Sequence, residues 1–244
     1  MSIENQIEIK FPVSTEKEIE LASAPGVFSP NATTTLLIQS VKKVISEPVT
    51  ILDLGCGTGV VGIALYLQGL TKAPIYASDL SKSSVLCSRI NFDRYDCVAE
   101  VRDGSLFQPW SSYRFDVIVD DISGIASGVA AVSSWFQGVP CESGEDGVDL
   151  VAEVILGAPR HLSEGGSFFF PVVSLSNVDK ILKVAKECFR SVERVGRQDW
   201  PLPIELKEHL PLLKTLHAKG AVKLEERFGM ALCYTEVYCA KNPI

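Results

Sequence analysis

The sequence predicts an α/β domain built on a doubly wound, mostly parallel sheet with helices on both faces. Three observations carry this prediction. Short apolar stretches alternate along the chain with amphipathic ones, the pattern of strands joined by helical crossovers. The stretch Ile51-Leu52-Asp53-Leu54-Gly55-Cys56-Gly57-Thr58-Gly59 joins a buried strand to a helix through glycines at alternate positions. An acid, Asp79, closes the next strand about twenty positions beyond those glycines, where doubly wound nucleotide folds place an acceptor for ribose hydroxyls.

The glycine stretch organises the rest. Residues 49–54 are apolar and partly β-branched, interrupted by Thr50 and Asp53, and fit a short central strand. Residues 60–67 suit a helix packed on the sheet. A helix that starts at a glycine turn points its free N–H groups at whatever fills that turn. The dinucleotide fingerprint spaces its glycines Gly-x-Gly-x-x-Gly; here the third arrives one residue early and Asp53 precedes the turn. A carboxylate there repels a pyrophosphate, accepts hydrogen bonds and pairs with a cation. The pattern points to a nucleoside that carries an ammonium group.

Asp53-Leu54-Gly55-Cys56-Gly57-Thr58-Gly59 resembles the first motif of the class I S-adenosylmethionine-dependent methyltransferases. The resemblance implies a Rossmann-like sheet of seven strands with an antiparallel edge strand, S-adenosylmethionine as cofactor, and contacts to it from Asp53, Gly55, Cys56, Gly57, Thr58 and Gly59. Residues 26–244 are then the methyltransferase domain. Residues 1–25 are expected to form a strand over 7–13 and an acidic helix or loop, making either a lid or a surface appendage.

Composition narrows the partners. The 244 residues carry a net charge of −7, so nucleic acid is not expected as a partner. The seven cysteines are scattered without a C-x-x-C pair, which gives no zinc spacing and fits reduced thiols in the cytoplasm. The N-terminus lacks the basic and apolar runs of a signal peptide, and no apolar stretch reaches membrane-spanning length. No metal is expected. Composition does not set the oligomeric state.

Taken in order, Val27-Phe28-Ser29-Pro30-Asn31 ends an extended segment, and Asn31 or a nearby Thr caps the helix after it. The segment resembles the loop that lies over the cofactor in the release-factor glutamine methyltransferases. Phe28 is thus a substrate-side residue or a core aromatic. The second strand, 74–80, ends on Asp79 and Leu80. Ser81 is the better cap for the following helix, which leaves Asp79 for ribose. After a third strand at 99–102, the resemblance places the adenine contact at Gly104 and Ser105, with Asp103 as the alternative acid.

The fourth strand and its exit run Phe115-Asp116-Val117-Ile118-Val119-Asp120-Asp121-Ile122-Ser123-Gly124. Ligands of open α/β sheets bind outside the strand carboxyl ends, so Asp120 and Asp121 are expected beside the transferred methyl group, with Asp120 also on the cofactor. The glutamine and adenine N-methyltransferases carry Asn-Pro-Pro-Tyr here. In this chain Asp121 takes the Asn position, Ile122 and Ser123 replace the prolines, and Gly124 replaces the Tyr. The change turns an amide gripper into a carboxylate and points to an amine or hydroxyl acceptor, touched by Asp121 and Ser123.

Residues 125–132 are small and apolar and read as a flexible loop or a loosely packed helix. Trp135, Phe136, Pro140 and Cys141 line a substrate pocket or pack the loop. Gly144-Glu145-Asp146-Gly147 before a helix at 150–158 extends the resemblance to the release-factor group. A fifth strand near 162–173, a helix at 178–189, a strand at 192–195, a helical insert at 204–219 and a last strand at 230–240 complete the sheet. His209 and His217 in the insert read as surface residues.

Three functions compete. The first is methyl transfer from S-adenosylmethionine to a small-molecule or peptide amine or hydroxyl, with Asp120 or Asp121 orienting the acceptor. The second is N5-methylation of a protein glutamine on a translation factor. The third is S-adenosylmethionine binding without methyl transfer.

Overall fold

The structure, a computed structural model, describes residues 6–13, 17–122, 124–135 and 143–244. The chain opens with an antiparallel hairpin, β1 (Ile7–Pro12) and β2 (Glu18–Ser23). The expected acidic helix or loop after the first strand is thus corrected to a second strand. Glu18 and Glu20 face solvent while Ile19 and Leu21 are buried, an alternation that suits a half-buried strand.

The main body follows as α1 (Ala32–Val44), β3 (Ile51–Leu54), α2 (Val60–Tyr66), β4 (Ile75–Asp79), α3 (Lys82–Arg94), β5 (Ala99–Asp103) and β6 (Phe115–Asp120). Next come α4 (Ser127–Ala130), α5 (Asp149–Gly157), β7 (Leu162–Val173), α6 (Val178–Cys188) and β8 (Phe189–Pro201). The insert and closing hairpin are α7 (Ile204–Lys207), α8 (Leu210–Ala218), β9 (Glu225–Arg227) and β10 (Met230–Pro243).

The sheet order is β5-β4-β3-β6-β7-β10-β8, with short β9 pairing β10 as an eighth strand. The β5-β4-β3-β6-β7 part is parallel. β10 runs antiparallel to both β7 and β8, so the closing strands form the expected antiparallel edge. The order reverses around β3, and ligands of such sheets sit at that switch point. One core packs Leu37, Val41, Ile63 and Ala64 on one face of the sheet; the other packs Trp110, Phe115, Ile155 and Ile181 on the opposite face.

Local chemistry explains the helix starts. Asn31 caps α1 by accepting from the Thr33 N–H, and the Thr34 side chain accepts from the Asn31 N–H in return. Ser81 caps α3 by accepting from the Ser84 N–H. The hairpin is tied to α3 by Asn91, whose amide exchanges hydrogen bonds with the Ala22 backbone, and by an Arg94–Glu8 ion pair.

β8 is far longer than the expected 192–195. Its polar residues conceal it in the sequence, because it is an edge strand whose outer charges are paired. Arg194 and Arg197 both bond Glu236 on β10, Arg197 also bonds Glu225, and its guanidinium lies over the Tyr234 ring. The expected insert helix is two helices, α7 and α8, with Leu206 and Leu213 buried beside Ile125 and Val129. Residues 125–132 are correspondingly an ordered apolar support, with Ile125, Ala126 and Val129 buried. Among the described residues, no helix is long and apolar enough to cross a membrane.

Candidate active site

The carboxyl ends of β3, β4 and β6 open on a cavity of about 390 Å³, within the range of small-ligand sites. Three stretches singled out separately in the sequence meet there: Gly55, Cys56, Gly57 and Thr58 from the glycine turn, Asp79 and Leu80 from β4, and Gly104 and Ser105 beyond β5. Asp121 and Ile122 close the β6 side, and Phe28 covers the glycine turn. A Cβ added to Gly57 would lie 3.8 Å from the Phe28 carbonyl oxygen.

The turn is fixed by its neighbours. Gly55 and Cys56 N–H groups both donate to the Ser78 carbonyl. Gly55 has φ +69°, and a Cβ there would strike the Ile122 side chain at 2.3 Å. Asp79 is held from both sides: Oδ2 accepts from the Gly57 N–H at 2.9 Å and Oδ1 from the Ser81 N–H at 2.8 Å. Burial raises its carboxyl above the usual range, against these bonds.

Asp121 is the acid that reaches the cavity from β6. The Thr34 hydroxyl donates to its Oδ2 at 2.7 Å. Burial pushes Asp121 up to about 7, with the Thr34 bond acting against the rise. Thr34 itself carries no local sign of this role; its sequence context shows only a cap.

Several expectations are corrected. Asp53 and Asp120 are fully enclosed and do not line the cavity. Asp53 turns toward α2, where its Oδ2 accepts from the Gly62 N–H, and Asp120 turns back on its own loop to accept from the Ile122 N–H. Strand residues alternate sides, and at β3 it is Leu54 that faces the ligand space. Burial drives Asp53 up to about 8 and lifts Asp120 well above the usual carboxylate range, with the neighbouring carboxylates adding. Gly59 also lies off the cavity; it has φ +77° and a Cβ there would press on Phe92 of α3. Asp103 is exposed and does not line the cavity, whereas Gly104 and Ser105 do. Ser123, Phe136, Pro140 and Cys141 lie outside the described residues. His209 and His217 are exposed.

Ser143 and Leu150, unmarked as site residues in the sequence, reach the same cavity from the segment before α5 and its first turn. The hydroxyls of Thr58 and Ser143 are buried there without a hydrogen-bond partner, as are one oxygen each of Asp53 and Asp120. Buried polar atoms without partners are costly, and two of these belong to residues that line the cavity. Among the described lining residues there is no Lys or Arg, while Asp79 and Asp121 supply negative charge. The donor set fits a nucleoside bearing a positive charge and does not fit a pyrophosphate.

A second cavity, about 560 Å³, adjoins the first. Gly26, Phe28 and Pro30 line both and form the wall between them. Its far side is Trp135, Gln198, Trp200, Pro203 and Thr235. Trp135 lines this cavity, and Pro203, just before the insert, reaches it as well.

Fold and crevice define a Rossmann-like α/β domain with its cavity at the carboxyl ends of the parallel strands. Residues 18–121 match the family model described as methyltransferase small domain. The chain is 25% identical to a release factor glutamine methyltransferase of Geobacter sulfurreducens, over 61% of this chain and 54% of that protein. It is 27% identical to a ribosomal protein L11 methyltransferase of Carboxydothermus hydrogenoformans, over 82% of this chain and 58% of that one. The chain spans about half the length of these relatives. In fold it is similar to a T. thermophilus 16S rRNA methyltransferase solved with AdoMet and guanosine, with TM-score 0.64 and 17% identity over 98% of this chain and 51% of that one. It is also similar to a Lactobacillus delbrueckii ribosomal protein L11 methylase, with TM-score 0.56 and 17% identity over 90% and 84% of the two chains. The fold is therefore shared by proteins named for protein and for RNA substrates.

Proposed function

We propose that this chain is an S-adenosylmethionine-dependent methyltransferase acting on a proton-bearing nitrogen or oxygen of a small molecule or a protein side chain. One observation carries the reading: the glycine turn, the Asp79 strand tip, the Gly104-Ser105 turn and Asp121 line one cavity. Gly55, Gly57 and Thr58 would hold the amino-acid end, Asp79 the ribose hydroxyls, and Leu80 and Ser105 the adenine. When bound, the cofactor supplies an activated methyl on a sulfonium. The chain's own part is to align the acceptor in line with that methyl, a positioning effect worth about 7–11 kcal/mol at best. Asp121 is placed to orient the acceptor and to take its proton as the methyl arrives. Asp53 and Asp120 stand behind the wall as buried carboxyls, each accepting a backbone N–H, from Gly62 and Ile122 in turn.

A protein acceptor is supported by the names of the relatives and by the charge of the chain. The described lining of both cavities has no Lys or Arg to meet a phosphate backbone, and the net charge of −7 opposes nucleic acid. A glutamine amide remains the second reading, favoured by the release-factor relatives and opposed by the carboxylate at position 121. Incubation with methyl-labelled cofactor and a cell extract, followed by separation by size, tests both. Label in protein that survives nuclease supports a protein acceptor, label in small molecules supports a metabolite, and label in RNA contradicts the charge argument. Cofactor binding with no labelled product from any extract contradicts methyl transfer.

A further inference from the structure

The second cavity has walls of a kind the first lacks. Phe28 stands on the side shared with the first cavity, and Trp135 and Trp200 stand opposite, their rings 5.8 Å apart and inclined at 59°. The Trp200 ring is fixed by a chain of side chains. Its Nε1–H donates to the Thr235 hydroxyl at 3.2 Å, and that hydroxyl lies 3.4 Å from the Thr33 hydroxyl of α1. The wall is therefore set by three elements, β8, β10 and α1, and not by one side chain.

Every described lining residue is uncharged: the polar ones are Ser29, Asn31, Thr33, Ser134, Gln198 and Thr235. An ion moved into such a space without an opposite charge carries a large desolvation cost. A neutral planar ring loses no such hydration, and it stacks or packs edge-on against aromatic walls. The single wall of Gly26, Phe28 and Pro30 between the cavities puts such a ring next to the space assigned to the methyl donor.

From this geometry, and resting on the methyltransferase reading above, we infer that the second cavity is the acceptor site and selects an uncharged aromatic group, with Trp135 and Trp200 as its specificity determinants. The acceptor is then a neutral ring, or a residue bearing one, with its nitrogen or oxygen directed past Phe28 toward Asp121.

The test uses four probes of related shape and different chemistry: benzamide, benzoate, benzylamine and propionamide. The chain has three tryptophans, and each indole N–H gives its own nitrogen-proton resonance. Trp110 is buried and donates to Ser78, which lines the first cavity, so its signal reports that site while Trp135 and Trp200 report the second. Benzamide is expected to shift the Trp135 and Trp200 signals, with benzoate, benzylamine and propionamide each about ten-fold weaker or worse, a difference of ~1.4 kcal/mol. Trp135→Leu should weaken benzamide about ten-fold, and Trp200→Phe should retain it. Equal binding of benzoate or benzylamine overturns the neutral selection, and equal binding of propionamide overturns the aromatic one. Benzamide shifts that survive Trp135→Leu overturn the site itself. A parallel titration with S-adenosylhomocysteine separates the two readings: loss of that binding with benzamide selectivity intact strikes the methyltransferase reading and leaves the aromatic site standing.

Discussion

The Thr34 hydroxyl donates to Asp121 Oδ2 at 2.7 Å while accepting from the Asn31 N–H, so one side chain both starts helix α1 and sets the acid at the tip of β6. It joins the loop over the cofactor space to the strand end where the acceptor is expected. Thr34→Val removes both roles. The Asn31 cap stays, and loss of the reciprocal bond from the Asn31 N–H should cost about 0.5–1.5 kcal/mol of stability. Loss of the donor to the ionised form should also move Asp121 above its value of about 7, shifting the rise of methyl transfer rate to higher pH. Thr34→Ser keeps the hydroxyl and should restore the profile. A pH profile unchanged in Thr34→Val, measured on purified folded protein, would remove Asp121 as the group that titrates.

Asp79 is the acceptor assigned to ribose. Asp79→Ala should weaken S-adenosylhomocysteine by about 1.5–3 kcal/mol, the cost of hydrogen bonds to an ionised acceptor. The change also frees the Gly57 and Ser81 N–H groups, so thermal unfolding is to be read beside calorimetry. Asp79→Asn keeps one acceptor and should lose less. Equal affinity in all three proteins contradicts the ribose assignment.

Gly55 tests whether the turn is the binding element. At φ +69° a side chain costs about 1–2 kcal/mol from backbone strain alone. The added methyl also meets Ile122 on the cavity wall. Gly55→Ala should lower both the unfolding midpoint and the S-adenosylhomocysteine affinity. Relieving the clash with Ile122→Ala should recover part of the affinity. No recovery would place the effect in the backbone alone.

Asp53 gives a stability signature with a defined sign. Its carboxyl is raised from 3.8 to about 8, chiefly by burial, so the folded chain binds this proton where the unfolded chain has released it. The stabilisation is complete below about pH 4 and is lost as pH rises through 8. Asp53→Asn cannot ionise. Relative to the wild type, its unfolding midpoint should therefore improve steadily between pH 5 and pH 8. Each ~1 kcal/mol of that difference moves the midpoint by about 2–4 °C in a chain of this size. A difference that stays constant with pH contradicts the burial of an ionisable Asp53.

Much of the crevice was legible in the sequence because strand ends and glycine turns carry local signals. Gly57 and Asp79 were placed by spacing, and the structure joins them directly. Asp53 and Asp120 had the right position along the chain and the wrong direction, since spacing does not say which side of a strand tip a carboxylate takes. Thr34, Ser143 and Trp200 were not legible as site residues. Each is ordinary in its own segment and reaches a cavity only through long-range packing of α1, the turn before α5, and β8. β8 was legible only over 192–195: beyond it Arg197 and Asp199 carry no apolar strand signal, and the partners of Arg194 and Arg197, Glu236 and Glu225, reach them only in the folded sheet.

The central claim is that the crevice at the ends of β3, β4 and β6 receives a cationic nucleoside. Calorimetric titration of the purified chain with S-adenosylhomocysteine, and separately with NAD, tests it most directly. Saturable one-to-one binding of S-adenosylhomocysteine, weakened by Asp79→Ala, and no binding of the pyrophosphate compound is the predicted result. Binding of NAD in place of S-adenosylhomocysteine, or of neither, would contradict it.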